Sequence, residues 1–345
     1  MYKVKITKVN DNCEQIMLRK GTEGRFVSKS GKYEFYINEN IEDPDFWVVR
    51  NKALKKKETH YVAPENTILI TSEPKSVLNF PKGYRDQFGL LCSCQEDLEH
   101  HNIQYTPAML PWFIRRIHGV GSIDYAADYE ELKTAPAPQK TKLISAITSN
   151  KAFTKGHQSR IRFIEKLKEH YGDQLDVFGK GFHDFEDKWD VLAPYKYHIA
   201  IENSSSKYYW TEKLSDSYLA ETFPFYYGCT NLSDYFPEKS FKIIDINNID
   251  AAIKLIDKTI ANQEFEKNRE ILNSCKHLVM DDYNMFNMIA NYCDKMDASK
   301  PKQMVTLKPA VSAADWGNVY RYMIERSFFK MTHFFHTFFK RKSAL

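Results

Sequence analysis

The sequence predicts an α/β protein of two domains, and three observations carry that expectation. The chain has 345 residues, more than a single hydrophobic core usually serves, so it should divide. From residue 139 onward, short apolar runs alternate with amphipathic stretches, the pattern of parallel strands covered by helices. Between the two parts, Thr134 to Lys140 sets two prolines among small residues, which favours an extended linker. The expected organisation is a first domain over residues 1–138, a second over 139–300, and a helical C-terminal tail over 301–345.

The elements follow in chain order. Val4 to Ile6, Phe46 to Val49, Ile68 to Thr71 and Gly89 to Cys92 are short apolar runs between breakers and read as strands. Asp43-Pro44-Asp45 reads as a turn. Pro74, directly after Glu73, ends a strand because it cannot donate to a ladder. Leu110-Pro111-Trp112-Phe113 is an aromatic loop. Beyond the linker, Leu143 to Ile147 is a strand, and Gln158 to Tyr171 a helix with Ile161, Ile164, Leu167 and Tyr171 on one stripe. Leu175 to Phe178 is a strand closed by Gly179. Tyr197 to Ile201 is apolar almost throughout, as in a parallel strand buried on both faces. Thr211 to Glu221 is a helix, Phe223 to Tyr227 a strand ended by Gly228, Phe241 to Ile246 a strand, and Asp250 to Ala261 a helix. Residues 262–295 read as helical.

The tail is distinct. From Asp315 to Lys342, Val319, Met323, Phe328, Met331, Phe334, Phe335, Phe338 and Phe339 are interleaved with Arg321, Arg326, Lys330, Lys340, Arg341 and Lys342. An amphipathic helix of this kind either lies on an anionic membrane surface or packs back over the first domain. For Ser327 to Lys342 the many phenylalanines and the closing charge favour the membrane.

Charge and cysteine usage narrow the function. A net charge of +4 is too small to imply a nucleic-acid partner. The Lys55-Lys56-Lys57 cluster reads as a solvated loop. The 21 tyrosines and 23 phenylalanines suit surfaces that hold sugars, and suit core packing equally. The six cysteines form no C-x-x-C pair, which fits reduced thiols in the cytosol. The first ten residues lack the apolar region of a signal peptide. No run of about twenty apolar residues exists to span a bilayer. The expectation is a cytoplasmic protein, peripheral at the inner face of the membrane.

The chemistry concentrates between residues 195 and 214. A buried strand, Tyr195 to Ile201, runs into a polar loop through Glu202-Asn203-Ser204, and a helix then opens at Thr211-Glu212-Lys213. Amides at a helix N-terminus seat phosphate. Lys213 is badly placed for the helix dipole unless it faces an anion, and Glu212 can accept hydrogen bonds from a ribose diol. The residues alone indicate a phosphate-bearing ligand, although a Glu-Lys pair opening a helix is also ordinary surface.

This stretch resembles the donor-binding segment of the α-1,3/1,4-fucosyltransferases, glycosyltransferase family 10. The matching residues are Tyr195, Lys196, Glu202, Asn203 and Ser204, then Tyr209, Thr211, Glu212, Lys213 and Leu214. Pro224, Gly228, Asn231, Tyr235, Phe236, Pro237, Ser240, Phe241 and Asp245 extend the match. Upstream, Ser149-Asn150 and Ser159-Arg160-Ile161-Arg162 are similar to a further family stretch, with a longer spacer. Trp210 departs from the family's aliphatic or Phe.

The resemblance implies a GT-B type fold, with two Rossmann-like domains facing a central cleft. It implies an inverting transferase moving L-fucose from GDP-L-fucose to an oligosaccharide acceptor such as a surface glycan, O-antigen or capsule. Arg160 and Lys213 would neutralise the diphosphate as the glycosidic bond breaks. Glu212 would hold the ribose, and Asn203 and Tyr209 would line the donor pocket. The acceptor's proton would go to a carboxylate of the opposing domain, for which Glu73 fits by position. No Asp-x-Asp metal motif stands in the donor segment, so neither a metal nor another cofactor is expected. The alternatives are a transferase of the same fold with another nucleotide sugar, and a non-catalytic glycan-binding protein at the membrane surface.

Overall fold

The computed structural model describes residues 1–9, 17, 19–20, 26–118, 123–148 and 155–311. Ser149-Asn150 and the amphipathic stretch from Asp315 lie outside the described residues.

The first half is built on strands β1 (Tyr2–Thr7), β2 (Arg19–Lys20), β3 (Phe26–Val27), β4 (Tyr33–Ile37) and β5 (Phe46–Arg50), with β6 (Glu58–Val62), β7 (Thr67–Thr71), β8 (Leu90–Ser93) and β9 (Ile103–Tyr105). All but β6 join one sheet in the order β2-β3-β4-β1-β5-β7-β8-β9. From β4 to β9 every pairing is parallel. β5 and β7 are buried at every position because both faces of the sheet are covered. Val4, Ile6, Phe46, Val48, Ile68 and Ile70 face the main core. Trp47, Val49, Leu69 and Leu91 face the other way, onto Phe80, Tyr84 and Leu307. Period-two alternation thus feeds two cores at once.

After the small hairpin β10 (Arg116–His118) and β11 (Ile123–Tyr125), the chain enters the second half. There β12 (Lys142–Ile147), β13 (Leu175–Phe178), β14 (Tyr195–Ile201), β15 (Phe223–Tyr227) and β16 (Lys242–Ile243) form a sheet in the order β13-β12-β14-β15-β16. All four pairings are parallel. Among the described residues the helices are α1 (Lys82–Arg85), α2 (Tyr129–Thr134), α3 (Lys155–Tyr171), α4 (Glu212–Leu219), α5 (Ile249–Ala261), α6 (Glu264–Lys267), α7 (Arg269–His277) and α8 (Met285–Cys293). The α/β architecture with two sheets is the one expected from the sequence. Gly179 is needed where β13 ends: its φ is +112°, and a Cβ there would collide with the Thr148 carbonyl.

Three departures from expectation have simple causes. Gln303–Leu307, expected in a helical tail, form strand β17, antiparallel to β6. Leu307 packs into the second core while Met304 stays exposed, so a period of two governs, not 3.6. The chain also returns to the first half before residue 300. In α8, Phe286 packs 5.1 Å from Phe35, and Asn287 Oδ1 accepts from the Lys29 amide at 2.8 Å. Tyr33 donates to Asp294 at 2.7 Å just beyond it. Finally, the strand expected over Phe241 to Ile246 is only two residues long, Lys242–Ile243, and pairs with β15 at the edge of the sheet. Among the described residues no helix is long and apolar enough to cross a membrane.

Candidate active site

The site grows from the end of β14, the central strand of the second sheet. Its next residue, Glu202, is buried. The Glu202 carboxylate accepts from the Thr211 amide at 2.8 Å and from the Thr211 hydroxyl at 2.7 Å. It therefore closes the loop 203–210 and fixes the residue that caps α4. The carboxylate has room only because residue 228 is glycine. A Cβ there would stand closer than 3.0 Å to two Glu202 side-chain carbons and 2.5 Å from the Tyr226 hydroxyl.

Thr211 in turn positions Lys213. The Lys213 ammonium donates to Thr211 Oγ1 and to Glu212 Oε1, both at 3.0 Å, and stands 3.3 Å from Glu202. Burial works against this ammonium, but Glu212 and Glu202 outweigh it and raise its pKa. Burial likewise opposes the Glu212 carboxylate, yet Lys213 and then Lys188 lower its pKa. Burial raises the Glu202 pKa further than Lys213 can lower it. One cation is shared by two carboxylates, and its outer side opens on a cavity.

That cavity, of about 240 Å³, lies beyond the carboxyl ends of β12 and β14, where parallel α/β sheets bind their ligands. Arg160, Glu212 and Lys213 line it together. Burial lowers the Arg160 pKa, and its Nε is buried without a hydrogen-bond partner. A buried guanidinium N–H left unpaired is a donor held ready for an acceptor. Asn203 sits beside it, accepting from Arg160 Nη1 at 3.4 Å, but is not part of the cavity wall. Tyr209 does not line the cavity either. Its ring is buried against Cys94 and Ala108 of the first half. The preceding Tyr208 has a φ of +64° and stacks on Tyr105, ring centroids 5.3 Å apart. The tyrosine pair thus ties the two halves together rather than facing the cavity.

Three wall residues were not anticipated. Lys188 and Arg116 add two cations, and His198 forms part of the floor. Lys188 is oriented by Asp216 of α4, with Nζ 2.7 Å from a fully buried carboxylate. Asp216 also accepts from the Phe113 amide at 3.1 Å, so it anchors the aromatic loop. Burial raises its pKa to about 6 against the pull of Lys188. His198 Nδ1 lies 2.8 Å from Ser145 Oγ, and burial, reinforced by Lys188, lowers its pKa to about 3. It is a neutral imidazole. The available signals were weak: Lys188 sits in a stretch without periodicity, and Asp216 is an acid on a helix whose neighbours are all buried.

Glu73 follows β7 at the carboxyl edge of the first sheet. The side chain of Gln95 donates to its carbonyl at 2.7 Å and to that of Leu78 at 2.8 Å, pinning the turn. The Glu73 carboxyl is half-buried. Burial and then Glu212 raise its pKa, against Lys213 and Arg50. Glu73 is thus within electrostatic reach of the pair on α4, from the opposite half. Nearby, Ser76 Oγ and Ser204 Oγ meet at 3.1 Å across the junction. Asp43 and Asp45 are occupied elsewhere: Asp43 pairs with Lys3 at 2.9 Å and Asp45 with Lys302 at 2.8 Å.

The chain is similar to several known proteins. Residues 137–306 match the family model "Glycosyltransferase family 10 (fucosyltransferase) C-term". The α-(1,3)-fucosyltransferase FucT of Helicobacter pylori is 35% identical over 75 residues, which are 21% of this chain and 16% of that protein. The match therefore spans less than a fifth of the curated relative's length. Among solved structures, an α1,3-fucosyltransferase with GDP aligns over 85% of this chain and 89% of its own, at 15% identity and a TM-score of 0.48. An α-glucosyltransferase in complex with UDP aligns over 85% and 99%, at 8% identity and a TM-score of 0.49. Glu202, Thr211, Glu212 and Lys213 all fall inside the matched segment, and residues 137–306 are accordingly similar to the C-terminal domain of the family 10 glycosyltransferases, the fucosyltransferases.

Proposed function

We propose that the chain is an inverting glycosyltransferase that moves L-fucose from GDP-L-fucose to a carbohydrate acceptor. The observation that carries this reading is the convergence of Arg160 and Lys213 on one cavity, with Glu73 within electrostatic reach from the opposite half. The two cations would sit against the diphosphate. As the bond from the anomeric carbon to the phosphate oxygen breaks, negative charge grows on the leaving group, and fixed cations stabilise it more than the ground state. Arg160 supplies a planar fork of donors. Glu212 would hold the ribose diol, with Lys213 keeping it ionised. Asn203 would keep Arg160 oriented, and Tyr209 would hold the donor half against the first half.

Residues 1–138, together with the segment that returns to them, would bind the acceptor. Glu73 takes the proton of the attacking hydroxyl as the new bond forms on the face opposite the departing diphosphate. Its raised pKa suits a base, since its basicity is greater than that of an ordinary surface carboxylate. The acceptor would be a surface glycan, O-antigen or capsule chain. The basic, phenylalanine-rich stretch from Ser327 would hold the enzyme on the inner face of the cytoplasmic membrane.

Titration with GDP tests the core of the reading. Lys213→Ala and Arg160→Ala should each weaken GDP binding by at least tenfold, about 1.4 kcal/mol; unchanged affinity in both would sink it. A panel of nucleotide sugars, scored by thermal shift, separates GDP-fucose from another donor. Flotation on anionic liposomes, with and without residues 327–345, tests the membrane reading.

A further inference from the structure

The loop 203–210 belongs to the donor half, yet it reaches the turn that carries Glu73. Its own half holds it firmly. Glu202 closes its base through two bonds to Thr211. Ser205 Oγ donates to the Gly228 carbonyl at 2.9 Å, and Asn231 Oδ1 accepts from the Tyr208 amide at 2.8 Å. The Ser206 carbonyl accepts from the Thr230 amide at 3.2 Å. Asn203 meets Arg160 of the donor cavity. The next residue, Ser204, meets Ser76 Oγ at 3.1 Å across the junction between the halves. Ser204 matches the family segment, but it does not line the donor cavity.

The turn from Glu73 to Leu78 is held unevenly. On its inner side, Gln95 donates to the Glu73 and Leu78 carbonyls, and Leu78 packs against the second core. The Pro74 carbonyl accepts from the Val77 and Leu78 amides at 2.9 and 3.0 Å. On its outer side, Lys75, Ser76 and Val77 are exposed. Lys75 pairs with Asp97 of the same half, an exposed ion pair of a kind that contributes little. Among the described residues, Ser204 is the hydrogen-bond partner that the donor half offers this turn. Beside it, Tyr209 packs on Cys94, whose Sγ lies 3.7 Å from the Glu73 carbonyl. A bond between two exposed hydroxyls adds little to folding stability. Its consequence is geometric: it joins the mobile side of the turn to a loop fixed beside Arg160.

We propose that Ser204 is a positioning residue for the transfer: through Ser76 it sets where the Glu73 carboxylate stands relative to a donor held at Arg160 and Lys213. That Glu73 is the base rests on the transferase reading; that Ser204 holds the turn does not. The base, the attacking oxygen and the anomeric carbon must align, and misplacement by about 1 Å can cost on the order of a hundredfold in rate. Two adjacent residues then serve the two partners of the reaction, Asn203 the diphosphate clamp and Ser204 the base.

The test compares the full-length protein with Ser204→Ala, Ser76→Ala, the double variant, and Ser204→Thr, which keeps the hydroxyl. Amide hydrogen exchange at Val77 and Leu78 reads the hold on the turn. GDP released from GDP-L-fucose, with water as the acceptor, reads the reaction. Both alanine variants should exchange several-fold faster at Val77 and Leu78. Their kcat for release should fall about tenfold, with the KM for GDP-L-fucose, GDP affinity and Tm unchanged. The double variant should be no worse than either single one, because both remove the same bond, and Ser204→Thr should restore wild-type values. Unchanged exchange in Ser204→Ala, an unchanged kcat, additive losses in the double variant, or failure of Ser204→Thr to rescue would overturn the proposal. Wild-type release by Glu73→Gln, with exchange still faster in Ser204→Ala, would count against the base assignment and leave the hold on the turn standing.

Discussion

Gly228→Ala offers a sharp test of how the donor site is held. The added methyl would stand closer than 3.0 Å to Glu202 side-chain carbons and 2.5 Å from Tyr226 Oη. Neither neighbour can step aside cheaply, since both are buried. Glu202 holds two bonds to Thr211, and the Tyr226 hydroxyl accepts from the Cys229 amide at 3.0 Å. Overpacking costs about 1–3 kcal/mol, and losing one hydrogen bond to a buried carboxylate about 1.5–3 kcal/mol more. A loss of roughly 3–5 kcal/mol is therefore expected from urea denaturation, a large share of the stability of a typical domain. Because Thr211 positions Lys213, GDP affinity measured below the unfolding transition should also drop. Gly31→Ala is the control. Its φ is +68° with nothing within 4 Å of the added methyl, so only the left-handed backbone cost of roughly 1–2 kcal/mol applies, with no change in GDP binding. A Gly228→Ala protein no less stable than Gly31→Ala would refute the reasoning.

Other outcomes follow from the same site. Glu73→Gln should keep GDP affinity while turnover falls about a hundredfold or more; wild-type turnover would place the base elsewhere. Asp216→Asn should weaken the hold on Lys188 and the 111–113 loop, raising the Kd for GDP several-fold, as read by calorimetry. His198 titrates near 3 in the folded protein against 6.5 unfolded. The unfolded chain alone takes up its proton as pH falls through 6.5, so stability is lost on that side. Between pH 7.5 and 5.5 the loss is about 1.4 kcal/mol. His198→Gln should remove that component, and identical pH slopes in the two proteins would contradict it.

The parts legible in the sequence were those whose causes are local. β14 is apolar at nearly every position because it is covered on both faces, and no partner need be known to read that. Thr211-Glu212-Lys213 announces a helix start by its own chemistry, and the end of β7 is announced by Pro74. What failed was non-local. Glu58-Thr59-His60-Tyr61-Val62 alternates so weakly that only its pairing with Gln303–Leu307 makes it a strand. Lys188 becomes a cavity cation through Asp216, on another element. Tyr209 and Tyr208 look interchangeable in sequence, and the left-handed turn at Tyr208 decides which one is buried.

The antiparallel pairing of β6 with β17 bears on how the protein is made. The hydroxyls of Thr59 and Thr306 bond at 2.8 Å, yet the residues are 247 positions apart. At a synthesis rate of roughly 5–20 residues per second, β6 waits on the order of 12–50 s for its partner to emerge. During that interval the bare edge of β6 and the apolar surface that Phe286 will cover are open to other chains. The half that leaves the ribosome first is therefore the last to be completed. Chains truncated ahead of Gln303 should be captured by chaperones or aggregate, even though every residue of the donor cavity is present.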